Sequence, residues 1–162
     1  MAAENPNVVE PESEREHRIT RVFAVPARIL FEAFSKPEHL LQWFGPKGYP
    51  LALCELDFRV RGKYRFAMNG PDGKLMTPFS GAYLEIVKDR AISYSSAMEQ
   101  SGAETMVVTI SFEELEGKTT LTQHTLFASV AMKRKHLEMG YELGVGAGLA
   151  QLGEFARGLV NA

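Results

Sequence analysis

The chain has 162 residues, enough for one domain with its own core. Hydrophobic residues make up 45% and charged residues 23%, globular proportions that exclude a disordered chain or a coiled coil. A formal charge of −2 provides no basic surface for nucleic acid, and no run approaches the ~20 apolar residues that cross a membrane.

Residues 1–16 contain Glu4, Pro6, Glu10, Pro11, Glu12, Glu14 and Glu16 without apolar periodicity. They are expected to form a disordered tail ahead of a domain over residues 17–162. They lack the basic start and apolar run of a secretory signal. The single cysteine, Cys54, has no partner for an internal disulfide. Both features lead to the expectation of a cytoplasmic protein.

Residues 17–25, HRITRVFAV, read as a strand rich in β-branched and aromatic side chains. Pro26 then suits the first turn of a short helix over Ala27–Phe34, with Leu30, Ala33 and Phe34 on one face. Lys36-Pro37-Glu38 opens a second helix that directs Leu40 and Trp43 inward, and Gly45-Pro46 stops it. Alternation then predicts a strand from Cys54 to Val60 and another from Tyr64 to Met68, closed by the turn Gly70-Pro71-Asp72-Gly73. Further strands are predicted over residues 77–87, 91–98, 105–115 and 118–127, with turns at Lys88–Arg90, Ser101-Gly102 and Glu116-Gly117. Hairpin connections favour an antiparallel meander over βαβ units.

From about residue 131 to 160 the period becomes helical, with Tyr141, Val145, Leu149, Leu152, Ala156 and Leu159 recurring. Gly140, Gly144 and Gly148 fall four residues apart within this pattern. An interior glycine costs a helix about 1 kcal/mol relative to alanine, so packing or vacated room must compensate. A curved antiparallel sheet of about seven strands needs cover for its concave apolar face. The last helix is the one element long enough to provide it. The expected fold is therefore α+β, a helix-grip in which the sheet wraps around the C-terminal helix, with two short helices after the first strand.

Several stretches resemble the START/Bet v 1-like (SRPBCC) superfamily, within it the group related to the activator of heat-shock-protein-90 ATPase. They are Arg21-Val22-Phe23 with Ala24-Val25-Pro26, and Pro37-Glu38-His39-Leu40 running into Trp43-Phe44-Gly45-Pro46. Asp57-Phe58-Arg59-Val60-Arg61-Gly62-Lys63-Tyr64-Arg65-Phe66, Gly70–Gly73, Phe79-Ser80-Gly81, Val108–Phe112 and Glu138-Met139-Gly140 continue the series. The resemblance spans about residues 17–160. Phe44 stands where the family has a second Trp, Val60-Arg61 where it has Pro-Gly, and Lys36 where it has an Asp cap. The resemblance implies the helix-grip fold. It leaves the chemistry open, because the superfamily includes lipid and hormone binders, polyketide cyclases and cochaperone domains.

The residues themselves narrow that range. His17, His39, His124 and His136 lie on different elements without metal-ligand spacing, so no metal and no cofactor is expected. Gly144–Gly148 mimics a nucleotide loop but follows no strand. Cys54 with His124 is a conceivable nucleophile–base pair, although a structural cysteine is the ordinary reading. Glu113-Glu114 reads as a solvated strand end. What remains is an aromatic and sulfur-rich set that suits the walls of a small-molecule pocket. The candidate ligand-binding residues are Trp43, Phe44, Tyr64, Phe66, Tyr83, Tyr94, Met98, Phe112, His124, Met139, Gly140, Tyr141 and Gly144. The expected partner is a small apolar or aromatic molecule, with no nucleic acid and no membrane, and a homodimer is compatible with the chain. Binding without catalysis is the first reading. A cyclase- or hydrolase-type enzyme and a chaperone-cofactor-like interaction module are the alternatives.

Overall fold

The computed structural model describes residues 10–161. Seven strands form one antiparallel sheet in the order β1-β7-β6-β5-β4-β3-β2. They are β1 (Glu16–Phe23), β2 (Leu51–Leu56), β3 (Lys63–Met68), β4 (Phe79–Val87), β5 (Ala91–Met98), β6 (Met106–Leu115) and β7 (Lys118–Leu126). Strands β2 to β7 meander, and β1 closes the row beside β7. The two short helices, α1 (Ala27–Ser35) and α2 (Pro37–Trp43), carry the chain from one edge of the sheet to the other.

Pro26, extended at ψ 153°, follows β1 and stands at the N-cap of α1. The first N–H of that helix is satisfied from a distance, since Ala27 N donates to Glu114 Oε1 at 2.6 Å. The carboxylate therefore sits at the positive end of the helix, where it is favoured, and does not merely trail into solvent. Leu30, Ala33 and Phe34 are buried as the period requires, together with Ile29 and Phe31. Trp43, also buried, closes α2 against α1: its Nε1 donates to the Ala33 carbonyl at 3.0 Å and its ring meets Phe34 edge-on at 4.8 Å. A buried indole needs such a partner for its N–H.

Three expectations are corrected. First, β2 begins at Leu51 and ends at Leu56, so residues 57–62 are a turn and not strand. Arg61 takes a left-handed φ of 72° there, and a Cβ on Gly62 would collide with the Asp57 carbonyl. Alternation of residue types persists through this turn, which is why it imitates a strand. Second, the C-terminal helix is two helices, α3 (Val130–Glu138) and α4 (Tyr141–Val160), separated by Met139 and Gly140. Gly140 adopts φ +89°, a conformation that glycine accepts at little cost and that ends an α-helix. Third, residues 10–16 are tied to the body. Arg15 donates to the Glu10 carbonyl at 3.0 Å and to the Phe127 carbonyl at 2.8 Å, while the Glu10 carboxylate accepts from Val130 N at 3.0 Å. Residues 1–9 of the expected tail lie outside the described residues.

Helix α4 buries Leu149, Leu152 and Ala156 and packs chiefly on α1, α2, α3 and β1. Gly153 permits its close approach to β1, because a Cβ there would lie 3.2 Å from the Phe23 ring. Among the described residues no helix is long and apolar enough to cross a membrane.

Candidate functional site

Strand parity decides which side chains meet. Paired residues across a sheet point to the same face. Tyr83 pairs with Tyr94, Tyr94 with Val108, Val108 with Thr125 and Thr125 with His17, so these five form one row across the concave face. Tyr64 and Phe66 belong to the same face on β3, and Ile92 precedes Tyr94 by two on β5. Phe34 from α1, Leu40 from α2 and Phe44 just beyond α2 approach from above. Together these bring Phe34, Leu40, Phe44, Tyr64, Phe66, Tyr83, Ile92 and Tyr94 around a cavity of about 20 Å³. That volume holds about one water.

The rings interlock. Phe44 lies 5.5 Å from Phe66, Tyr64 4.9 Å from Phe66, and Tyr64 5.5 Å from Tyr94, all between centroids. The Tyr64 hydroxyl donates to the Ser95 carbonyl at 2.6 Å. Burial pushes the Tyr64 phenol up to about 12, partly offset by a hydrogen bond with Ser96. Tyr83 and Tyr94 are raised further, again chiefly by burial, with their tyrosine neighbours adding to the effect. Among the described residues no charged side chain lines this cavity.

One flank of α4 faces α2 and the segment that carries Phe44. At 100° per residue, Gly144 and Gly148 share a side with Gln151. Gln151 Nε2 donates to the carbonyls of Trp43 and Gly45 at 2.7 and 2.6 Å, so this side is turned toward α2 and the segment after it. A Cβ built on Gly144 or Gly148 would meet nothing within 4 Å. The glycines of α4 therefore serve two purposes, close contact at Gly153 and open space at Gly144 and Gly148.

Five of the thirteen candidate residues, Phe44, Tyr64, Phe66, Tyr83 and Tyr94, converge on the cavity, and Gly144 lies on the open flank. Trp43 backs Phe44 at 5.5 Å without reaching the cavity, and Phe112 is core beside Phe31 and Phe34. Met98 is exposed at the end of β5, opposite Phe79. Met139, 76% exposed, and Gly140 form the turn between α3 and α4. Tyr141 covers the far end of the concave row, where its hydroxyl bonds Thr125 at 2.6 Å and its ring is 5.6 Å from His17. His124 does not join any of these. Its neighbour Thr125 is buried on the concave side, so His124 projects from the convex side and meets Glu16 at 2.8 Å.

That parity also separates His124 from Cys54. Burial, helped by the charge of Glu38, pushes the Cys54 thiol up to about 11, the opposite of nucleophile activation. Among the described residues no three His, Cys, Asp or Glu side chains stand together as a metal site. A second, open depression on β2–β5 contains Arg65 and Glu99, which already satisfy each other at 2.9 Å. Sequence reasoning missed Phe34, Leu40 and Ile92 as lining residues. The inward helical faces of Phe34 and Leu40 were legible, but that they reach β3–β5 was not.

A curved antiparallel sheet gripping one long helix over an aromatic cavity is the architecture of the START/Bet v 1-like superfamily. The chain matches the family described as activator of Hsp90 ATPase homolog 1-like protein over residues 24–157, and it belongs to that family. A Nitrosomonas europaea protein of solved structure is 25% identical, with a TM-score of 0.84 over 94% of this chain and 100% of its own. One from Chromobacterium violaceum is 26% identical, with a TM-score of 0.75 over 88% of this chain and 96% of its own. A Mycobacterium smegmatis protein, 21% identical with a TM-score of 0.80 over 92% of this chain and 95% of its own, shares the fold. No curated protein matches the chain.

Proposed function

We propose that the protein binds a small apolar or aromatic molecule between the concave sheet and the glycine flank of α4. One observation carries this reading: the rings of Phe44, Tyr64, Phe66, Tyr83 and Tyr94 converge on free space. It is supported by Gly144 and Gly148 of α4, where a Cβ would meet nothing within 4 Å. Pockets for small molecules are mostly apolar walls with a few polar groups. At about 20 Å³ the cavity holds about one water, so a guest must widen it. A guest enters by displacing Phe44 and the segment after it, or by lifting α4 about the turn at Gly140. The lining has no carboxylate, imidazole or thiol, which supports binding over turnover. A reducing cytoplasm suits the free Cys54.

Trp43 reports occupancy because its ring adjoins Phe44, and it is the sole Trp. Titration with the neutral dye Nile red should quench Trp43 and saturate at one site per chain. Native mass spectrometry of freshly purified protein should show a co-purified guest. Linear, unsaturable dye uptake would remove the reading. A second reading, a surface for a protein partner, draws on the exposed Leu137, Met139 and Leu143 around the α3–α4 turn. It fits the cochaperone theme in the family's description. Changing Met139 and Leu143 together to Ser should then abolish partner capture while leaving dye binding intact.

A further inference from the structure

We propose that the guest is a neutral aromatic molecule bearing a carbonyl oxygen, and that Tyr94, with Tyr83 beside it, donates a hydrogen bond to that oxygen. The inference rests on the cavity reading above and specifies the ligand class. Three tyrosines surround the cavity, and among the described residues only Tyr64 has its proton engaged, by the Ser95 carbonyl. Among the described residues the one fully enclosed side-chain nitrogen or oxygen without a partner is His17 Nδ1. The hydroxyls of Tyr83 and Tyr94, which line the cavity and have no partner either, are therefore not sealed into the core. Both residues line the cavity, and in this proposal their hydroxyls face it.

A buried hydroxyl left without a partner is costly, and one that faces a cavity invites a guest to complete it. Both phenols stay protonated, since burial raises them far above tyrosine's ordinary range, so each presents an O–H and not an anion. Tyr83 and Tyr94 are paired residues on adjacent strands with ring centroids 6.4 Å apart, and both line one cavity. Donors in search of acceptors suit a ketone, ester or amide carbonyl. A carboxylate is disfavoured, because no Lys, Arg or His lines the cavity to balance it, and the burial that keeps the phenols protonated penalises any other anion as well. The aromatic walls select a flat ring system to accompany the carbonyl.

The test uses three probes of similar shape: 2-acetylnaphthalene, 2-ethylnaphthalene and 2-naphthoate. Their affinities are measured by calorimetry at pH 7.5 on the full chain and on Tyr94→Phe and Tyr83→Phe. The clean readout is the ketone-to-hydrocarbon affinity ratio in each protein, because it cancels differences in solubility. That ratio should fall about fivefold in Tyr94→Phe, the size of one neutral hydrogen bond, with the hydrocarbon's own affinity unchanged. The naphthoate should bind at least tenfold more weakly than the ketone. An unchanged ratio in both variants, or naphthoate binding as tightly as the ketone, overturns the proposal while leaving a general apolar cavity standing. If none of the three probes binds, the cavity reading itself fails and takes this inference with it. Both variants remove one oxygen only, so melting temperatures close to that of the original chain will confirm that they fold.

Discussion

Replacing Gly148 with Leu tests whether the open flank of α4 is room for a guest. The present side chain is a hydrogen, and a Cβ would meet nothing within 4 Å. The substitution recovers the helix-propensity cost of glycine, about 1 kcal/mol, without overpacking at its first carbon. For a domain of this size 1 kcal/mol corresponds to roughly 2–4 °C in melting temperature. Gly148→Leu should therefore melt a few degrees higher, while Nile red affinity falls tenfold or more because the isobutyl group occupies the guest's space. Gly144→Leu, on the same flank, should behave alike. Gly153→Leu is the contrast, since its Cβ would press on the Phe23 ring at 3.2 Å. Overpacking of about 1–3 kcal/mol should there outweigh the propensity gain and lower the melting temperature. Both quantities come from a thermal melt and a dye titration on each variant. A Gly148→Leu protein that loses stability, or binds the dye as well as before, would refute the reasoning.

Arg61→Gly should stabilise the turn after β2. A non-glycine residue at φ 72° costs about 1–2 kcal/mol, and glycine's greater freedom in the unfolded chain returns roughly 0.5–1 of that. The denaturant midpoint should rise by the equivalent of about 0.5–1 kcal/mol at constant slope, and a lower midpoint counts against the strain argument. Arg15→Ala should cost about 2 kcal/mol through loss of charged hydrogen bonds to the Glu10 and Phe127 carbonyls, and an unchanged melt would show residues 10–16 to be dispensable. Cys54, raised from 9.0 to about 11, has its thiolate population at pH 8 reduced by 11 − 9 = 2 powers of ten, about a hundredfold. Alkylation by iodoacetamide should slow by that factor relative to the unfolded chain, and reaction at the unfolded rate would contradict the burial seen. By the same shift the neutral thiol is favoured in the folded state, so its stabilisation is complete below pH 9 and fades as pH rises from there toward 11.

Local chemistry alone was enough to set the order of elements. Pro26 and Gly45-Pro46 punctuate the two short helices, and alternation marks the strands that meander from β3 to β7. These signals act over a few residues, so no distant partner is needed to read them. The convergence of Tyr64, Phe66, Tyr83 and Tyr94 was also partly legible, because residues two apart share a face and hairpins bring neighbouring strands together. What the local pattern left undecided was the choice between faces where both are mixed. In β7, Leu121, Gln123 and Thr125 alternate with Thr122, His124 and Leu126, and neither set is distinctly apolar. Only pairing with β6 and β1 directs Thr125 to Tyr141 and His124 to Glu16. The glycines show the same division. Their spacing of four was visible, but it does not distinguish a turn from a helix, or contact from space. Tertiary packing made Gly140 a left-handed break, set Gly153 against Phe23 and left Gly144 and Gly148 facing open space, because a residue without a side chain takes its role entirely from what its neighbours place beside it.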